Sequence, residues 1–169
     1  AWYVQPAYHF SALPWSPVLS YRYADFGGDR SPGAGTKRSF DPLFFAPGTR
    51  AIGPGGLGEI YGQYLQNETN TLAHQLSVRT VPLDGLAVGA QFGRLSFAEL
   101  GQVNQQLTVT PVTSRRAMDE IDVYVEWTPT ESLSISPTLA WGVPRDGFRQ
   151  VDTGTGRRGD RTIFLAQIY

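Results

Sequence analysis

The chain has 169 residues, 41% of them hydrophobic and 17% charged, with a formal net charge of -1 and no cysteine. Disulfide frameworks and thiolate metal sites are excluded, and 14 basic against 15 acidic residues leave no electrostatic footprint for nucleic acid. No stretch approaches the ~18 apolar residues of a membrane-spanning helix, and the low charged fraction argues against a disordered chain.

A period of two runs through most of the chain. Trp15, Leu19, Tyr21 and Tyr23 fall on one side of a first segment, with Ser16, Ser20 and Arg22 on the other. Residues 27–56 then hold 12 Gly and Pro, which no regular element survives, so 27–71 is predicted as a long loop. Inside it, Leu57, Ile60, Tyr61, Tyr64 and Leu65 recur at helical spacing, while Glu59, Tyr61 and Gln63 also alternate with Ile60 and Tyr64. Residues 57–66 are therefore either an eighth strand or an insert in the loop, and the insert is preferred.

Beyond the loop, Leu76, Val78 and Thr80 alternate with Gln75, Ser77 and Arg79, and Leu86, Val88, Ala90 and Phe92 with Ala87, Gly89, Gln91 and Gly93. Ile121, Val123, Val125 and Trp127 alternate with Glu120, Asp122, Tyr124 and Glu126. Leu133, Ile135, Leu139 and Trp141 do so with Ser134, Ser136, Thr138 and Ala140. At the end of the chain Gln167 conflicts with an apolar set that includes Tyr169. The other phase takes Phe164, Ala166 and Ile168 as that set and expects a further aromatic residue beyond Tyr169. The predicted fold is all-β, an antiparallel sheet with one apolar and one polar face.

The connections refine this. Three are short and proline-bearing, at Leu13-Pro14-Trp15-Ser16-Pro17, Pro82-Leu83-Asp84-Gly85-Leu86 and Pro129-Thr130-Glu131-Ser132-Leu133. Three are long, roughly 27–71, 97–118 and 143–160. Strict alternation puts all short turns at one end and all long loops at the other, the pattern of a transmembrane β-barrel. Trp2, Trp15, Tyr23, Trp127 and Trp141 near strand ends suit an interfacial girdle, and mid-strand Arg, Glu, Asp and Gln suit a wet lumen. A count of seven or eight strands, with no signal peptide before Ala1-Trp2-Tyr3, predicts that 1–169 is one segment of a larger porin.

The run from Leu13 to Pro17, then Ser20-Tyr21-Arg22-Tyr23-Ala24 with Gly28-Asp29, and Phe40-Asp41-Pro42-Leu43-Phe44, resembles the C-terminal part of the bacterial alginate-export family. The resemblance covers 13–44 and implies an outer-membrane barrel of about eighteen strands. It also implies passive conduction of an anionic polysaccharide, or of another solute, through an arginine-lined pore. The chain departs from that pattern: Arg22 and Arg79 share their positions with Glu120, Asp122 and Glu126, so a cation-rich path is not evident.

The function expected from these residues is a passive channel of the bacterial outer membrane, in contact with lipid or lipopolysaccharide and with a polar or anionic solute. Arg22, Gln75, Arg79, Gln91, Glu120, Asp122 and Glu126 are the lumen candidates. The long loop is expected to fold inward, with Phe40, Asp41, Phe44 and Arg50 at the constriction. No cofactor or metal is expected. Asp119 falls opposite Glu120 and Asp122, and the glycine-rich run at 53–58 lacks the Lys-Ser/Thr of a phosphate loop. No enzymatic activity is expected, because His9 and His74 stand without a motif-placed nucleophile. Arg115-Arg116 and Arg157-Arg158 are loop charges that could meet lipopolysaccharide or an anionic solute. The alternative is a soluble carbohydrate-binding β-domain that stacks sugar on Trp15, Trp127 and Trp141.

Overall fold

The computed structural model describes residues 1–41, 56–65, 69–106, 111–151 and 162–168. Its described strands are β1 (Trp2–Val4), β2 (Ala7–His9), β3 (Val18–Phe26), β4 (Thr71–Leu83), β5 (Leu86–Phe97), β6 (Arg116–Thr130), β7 (Leu133–Ile135), β8 (Pro137–Pro144) and β9 (Ile163–Ile168). Helices α1 (Leu100–Gln106) and α2 (Asp146–Arg149) and a π-helical turn at Tyr61–Leu65 complete the elements.

All nine strands belong to one antiparallel sheet, but they fill seven positions, in the order β1-β3-β4-β5-β6-β8-β9. β2 continues the line of β1 along β3, and β7 that of β8 along β6. The breaks fall at Gln5-Pro6 and at Ser136 before Pro137, next to prolines that have no amide hydrogen to give the ladder. Residues 57–65 add no strand, being turn and π-helix; Gln66 lies outside the described residues.

Connections alternate in length as the sequence predicts. Residues 10–17, 84–85 and 131–132 close short turns at one end, and 27–70, 98–115 and 145–162 run at the other. In the tightest turn Gly85 takes a φ of +73°, and a Cβ there would sit 2.7 Å from the Thr128 carbonyl oxygen. The sheet is open: its edges are the β1/β2 line and β9, and no ladder joins them among the described residues.

Register sorts every strand into the same two faces. One cross-strand row runs Tyr21, Leu76, Phe92, Ile121, Trp141, Phe164, and the next runs Leu19, Val78, Ala90, Val123, Leu139, Ala166. On the opposite face the rows are Arg22, Gln75, Gly93, Glu120, Gly142, Ile163 and Ser20, Ser77, Gln91, Asp122, Ala140, Leu165. Burial is inverted relative to an ordinary domain. Leu139 and Trp141 are 52% and 56% exposed, whereas Glu120 and Asp122 are each 1% exposed. The apolar core is confined to the loop end of the covered face, where Phe26, Leu95, Phe97 and Met118 meet Leu57, Ile60 and Tyr61 with Val103 and Val112.

Asn70 ties two long connections together. Its carbonyl accepts from Ala98 N at 3.0 Å, its Oδ1 accepts from Glu99 N at 2.7 Å, and its Nδ2 donates to Glu99 O at 3.0 Å. It is fully buried at a φ of +49°, a conformation asparagine tolerates better than most residues. Asn70→Ala strands a buried amide and carbonyl and is expected to cost about 1–3 kcal/mol. Urea unfolding in detergent followed by circular dichroism checks this, with the midpoint lowered.

Candidate functional site

The covered face is polar at mid-sheet because period-two alternation sends Arg22, Gln75, Gln91, Glu120 and Asp122 there from four successive strands. Such groups need partners once water is excluded, and residues 56–65 supply several. The Gly56 carbonyl accepts from Arg22 Nη1 at 3.1 Å and from Gln75 Nε2 at 2.8 Å. Glu120 Oε1 and Oε2 accept from the backbone amides of Ile60 and Tyr61 at 2.7 and 3.0 Å. Glu59 Oε2 accepts from Gln63 Nε2 at 2.6 Å and from Gln167 Nε2 of β9 at 2.7 Å, and Tyr64 Oη donates to Gln167 Oε1 at 3.1 Å.

One short insert therefore reaches β3, β4, β6 and β9. Five strand steps separate β3 from β9, about 24 Å on a flat sheet. The three residues from Gly56 to Glu59 span at most ~11 Å. Side chains leaning inward from a sheet curled around the insert close the rest. Leu57, Ile60 and Tyr61 enter the apolar core at the loop end, so the insert straddles the boundary between core and polar face. Burial raises the Tyr61 phenol above its ordinary range, with the Thr71 side chain the smaller, opposing influence. Gly58 permits this approach: its φ is +104°, and a Cβ would lie 2.7 Å from the Glu120 carboxyl.

The remaining polar contacts run across the sheet. Ser20 and Ser77 share a 2.7 Å hydrogen bond, Gln91 Nε2 donates to Asp122 Oδ2 at 3.2 Å, and Arg22 Nε donates to Gln5 Oε1 at 2.7 Å. Arg79 and Glu126 form a 2.8 Å ion pair toward the turn end. Asp122 Oδ1 and Thr138 Oγ1 are buried with no hydrogen-bond partner among the described residues.

All seven lumen candidates share the covered face. Of the constriction candidates, Phe40 packs edge-on against Phe26, ring centroids 5.5 Å apart, beside the core at the loop end of the covered face, and Asp41 pairs with Lys37 at 2.7 Å on the surface. Phe44 and Arg50 lie outside the described residues, as do Arg157 and Arg158. Residues 56–65 cross the face instead. Their signal was the Gly-Leu-Gly-Glu run at 56–59, whose small residues allow backbone to approach a carboxyl. Gln167 was the other missed partner; β9 takes the phase with Phe164, Ala166 and Ile168 outward, which turns Gln167 to the polar side.

His9 and His74 fall on opposite faces, and His74 Nδ1 lies 2.7 Å from Tyr21 Oη. Among the described residues no group of three His, Asp or Glu is placed to hold a metal ion. Asp119 is on the exposed face, between Arg94 and Arg145. Comparisons with protein-family models, with curated proteins and with solved structures return no match.

Glu120→Ala removes the acceptor of two insert amides, at ~0.5–1.5 kcal/mol for each bond. Hydrogen exchange at 57–65 is expected to accelerate by roughly tenfold or more, 1.4 kcal/mol being a factor of ten, while exchange in β5 stays unchanged. Mass-spectrometric exchange on the full chain in detergent measures both.

Proposed function

We propose that this chain forms part of an outer-membrane β-barrel and acts as a passive channel for small polar solutes, with residues 56–65 narrowing its lumen. The inverted burial of the sheet carries this reading. Ten large apolar side chains project from the exposed face: Leu19, Tyr21, Leu76, Val78, Phe92, Ile121, Val123, Leu139, Trp141 and Phe164. Full burial of such a side chain gains ~1.5–3 kcal/mol. Half-exposed, ten of them forgo on the order of 10 kcal/mol in water, as much as the whole stability of a typical domain, ~5–15 kcal/mol. A hydrocarbon surrounding recovers that free energy.

The strand lengths agree: β4, β5 and β6 have 13, 12 and 15 residues, enough for the ~9–11 of a tilted membrane strand. Trp15 and Trp127 lie toward the turn end, and Trp2, Tyr21, Tyr23 and Trp141 toward the loop end, the arrangement of two aromatic girdles. The free edges at β1/β2 and β9 call for further strands to close a barrel, from the same protein or another chain.

The covered face carries Arg22 and Arg79 together with Glu59, Glu120, Asp122 and Glu126, so it does not offer the arginine-lined path implied by the alginate-export resemblance. The soluble sugar-binding alternative needs its indoles on one platform. Trp141 lies opposite Ile121, six residues along β6 from Trp127 and roughly 20 Å away, too far for one sugar ring to bridge.

Planar-bilayer recording of the full-length protein tests the channel. Ohmic current is expected. Replacing 57–65 with a short Gly-Ser linker should raise the single-channel conductance several-fold. Absence of current rejects the channel, and unchanged conductance rejects the insert as its constriction.

A further inference from the structure

The exposed face ends, toward the long loops, in a basic patch. Asp119 accepts from Arg94 Nε at 3.3 Å through Oδ1 and from Arg145 Nη2 and Nε at 2.6 and 2.9 Å through Oδ2. The Asp119 side chain is 7% exposed beneath the two arginines, whose side chains stay 53% and 38% exposed. Arg116 stands one row further toward the loops, opposite Ser96, and forms no ion pair among the described residues. Three arginines against one aspartate leave a formal charge of +2. Immediately below lies the apolar row of Phe92, Ile121 and Trp141.

From this arrangement we propose that Arg94, Arg116 and Arg145 form a binding site for the phosphate of an amphiphile whose acyl chains lie on Phe92, Ile121 and Trp141. The inference rests on the membrane reading above and names the lipid headgroup for this part of the outer surface. Guanidinium groups match phosphate oxygens with paired donors and carry their charge at every accessible pH. Asp119 orients two of them without neutralising the patch. The charge sits one residue pair beyond the apolar row, about 7 Å along the strand, the offset between ester-linked chains and a headgroup phosphate. Arg115 is directed elsewhere: it pairs with Glu99 at 3.3 Å, as Arg30 does at 3.4 Å.

The test uses the full chain in phosphatidylcholine nanodiscs, titrated with a bis-phosphorylated glucosamine lipid and with its dephosphorylated form, binding being counted by native mass spectrometry. The double variant Arg94→Gln with Arg116→Gln keeps the Arg145–Asp119 pair and so the local fold. It is expected to weaken binding of the phosphorylated lipid by roughly tenfold or more, the cost of losing charge-assisted bonds. Lys37→Gln, which removes the same charge from a side chain paired with Asp41 rather than with Asp119, should leave that affinity unchanged. Equal affinity of native and double-variant chains overturns the site, as does equal binding of the two lipid forms. Displacement of the lipid by inorganic phosphate at matched concentration overturns its assignment to an amphiphile. Failure of the native chain to enter nanodiscs removes the membrane reading and this site with it, whereas entry with unchanged retention in the variant removes the site alone.

Discussion

Polar side chains turned to the covered side of a sheet must find hydrogen-bond partners there or leave their groups stranded, at about 1–3 kcal/mol each. Residues 56–65 answer that demand with a main-chain carbonyl at Gly56 and amides at Ile60 and Tyr61. Arg22, Gln75 and Glu120, from three different strands, share this backbone as partner. Side chains of the insert extend the network to β9 through Gln167, so the first and last long strands are linked without touching. The curl of the sheet and the location of its apolar core follow from where this insert lies.

The same alternation fixes the exposed face. A slip of one residue in any ladder would exchange Ile121 for Asp122 or Phe92 for Gln91 and place charge where the apolar rows now run. Register is thus specified from both sides: the insert holds the polar set inward, and the apolar set keeps the outward phase. Asp119 is the instructive exception. It shares the outward phase of Ile121 yet is polar, and it is found under two arginines at the margin of the apolar rows. The boundary between apolar and charged rows is therefore sharp to one residue pair on β5 and β6.

Strand faces and the short/long alternation were legible in the sequence because both depend on local rules, the pleat and the turn chemistry. Ile121, Val123, Val125 and Trp127 announce their face without help from the rest of the chain. The insert was only half legible. Helical spacing at Leu57, Ile60 and Tyr64 marked it as something other than a strand, but its docking depends on Glu120, some sixty residues away, and no local pattern encodes that pairing. For the same reason Phe40 and Asp41 were assigned to a constriction on the strength of lying in the long loop. Phe40 is instead drawn to Phe26, its nearest apolar surface, and Asp41 to Lys37 one helical turn before it. Membership of a loop says little about which part of it turns inward; a glycine beside a distant carboxyl says more.

The insert is held by two kinds of contact, and their sum bears on how a lumen could open. Leu57, Ile60 and Tyr61 are each 3% exposed or less. At ~1.5–3 kcal/mol for each buried side chain, withdrawing the three costs on the order of 5 kcal/mol before hydrogen bonds to Glu120, Arg22 and Gln75 are counted. Freedom regained by the released chain opposes this, at ~1–2 kcal/mol for each residue set loose, and the hydrogen bonds of the insert add to the hold. A polar group that competes for Glu120 or for the Gly56 carbonyl acts on those hydrogen bonds, whereas a solute that meets only the apolar core does not. Under the proposed channel function, resting occlusion and solute-dependent displacement would both be properties of this one contact set, placed where the apolar core gives way to the polar face.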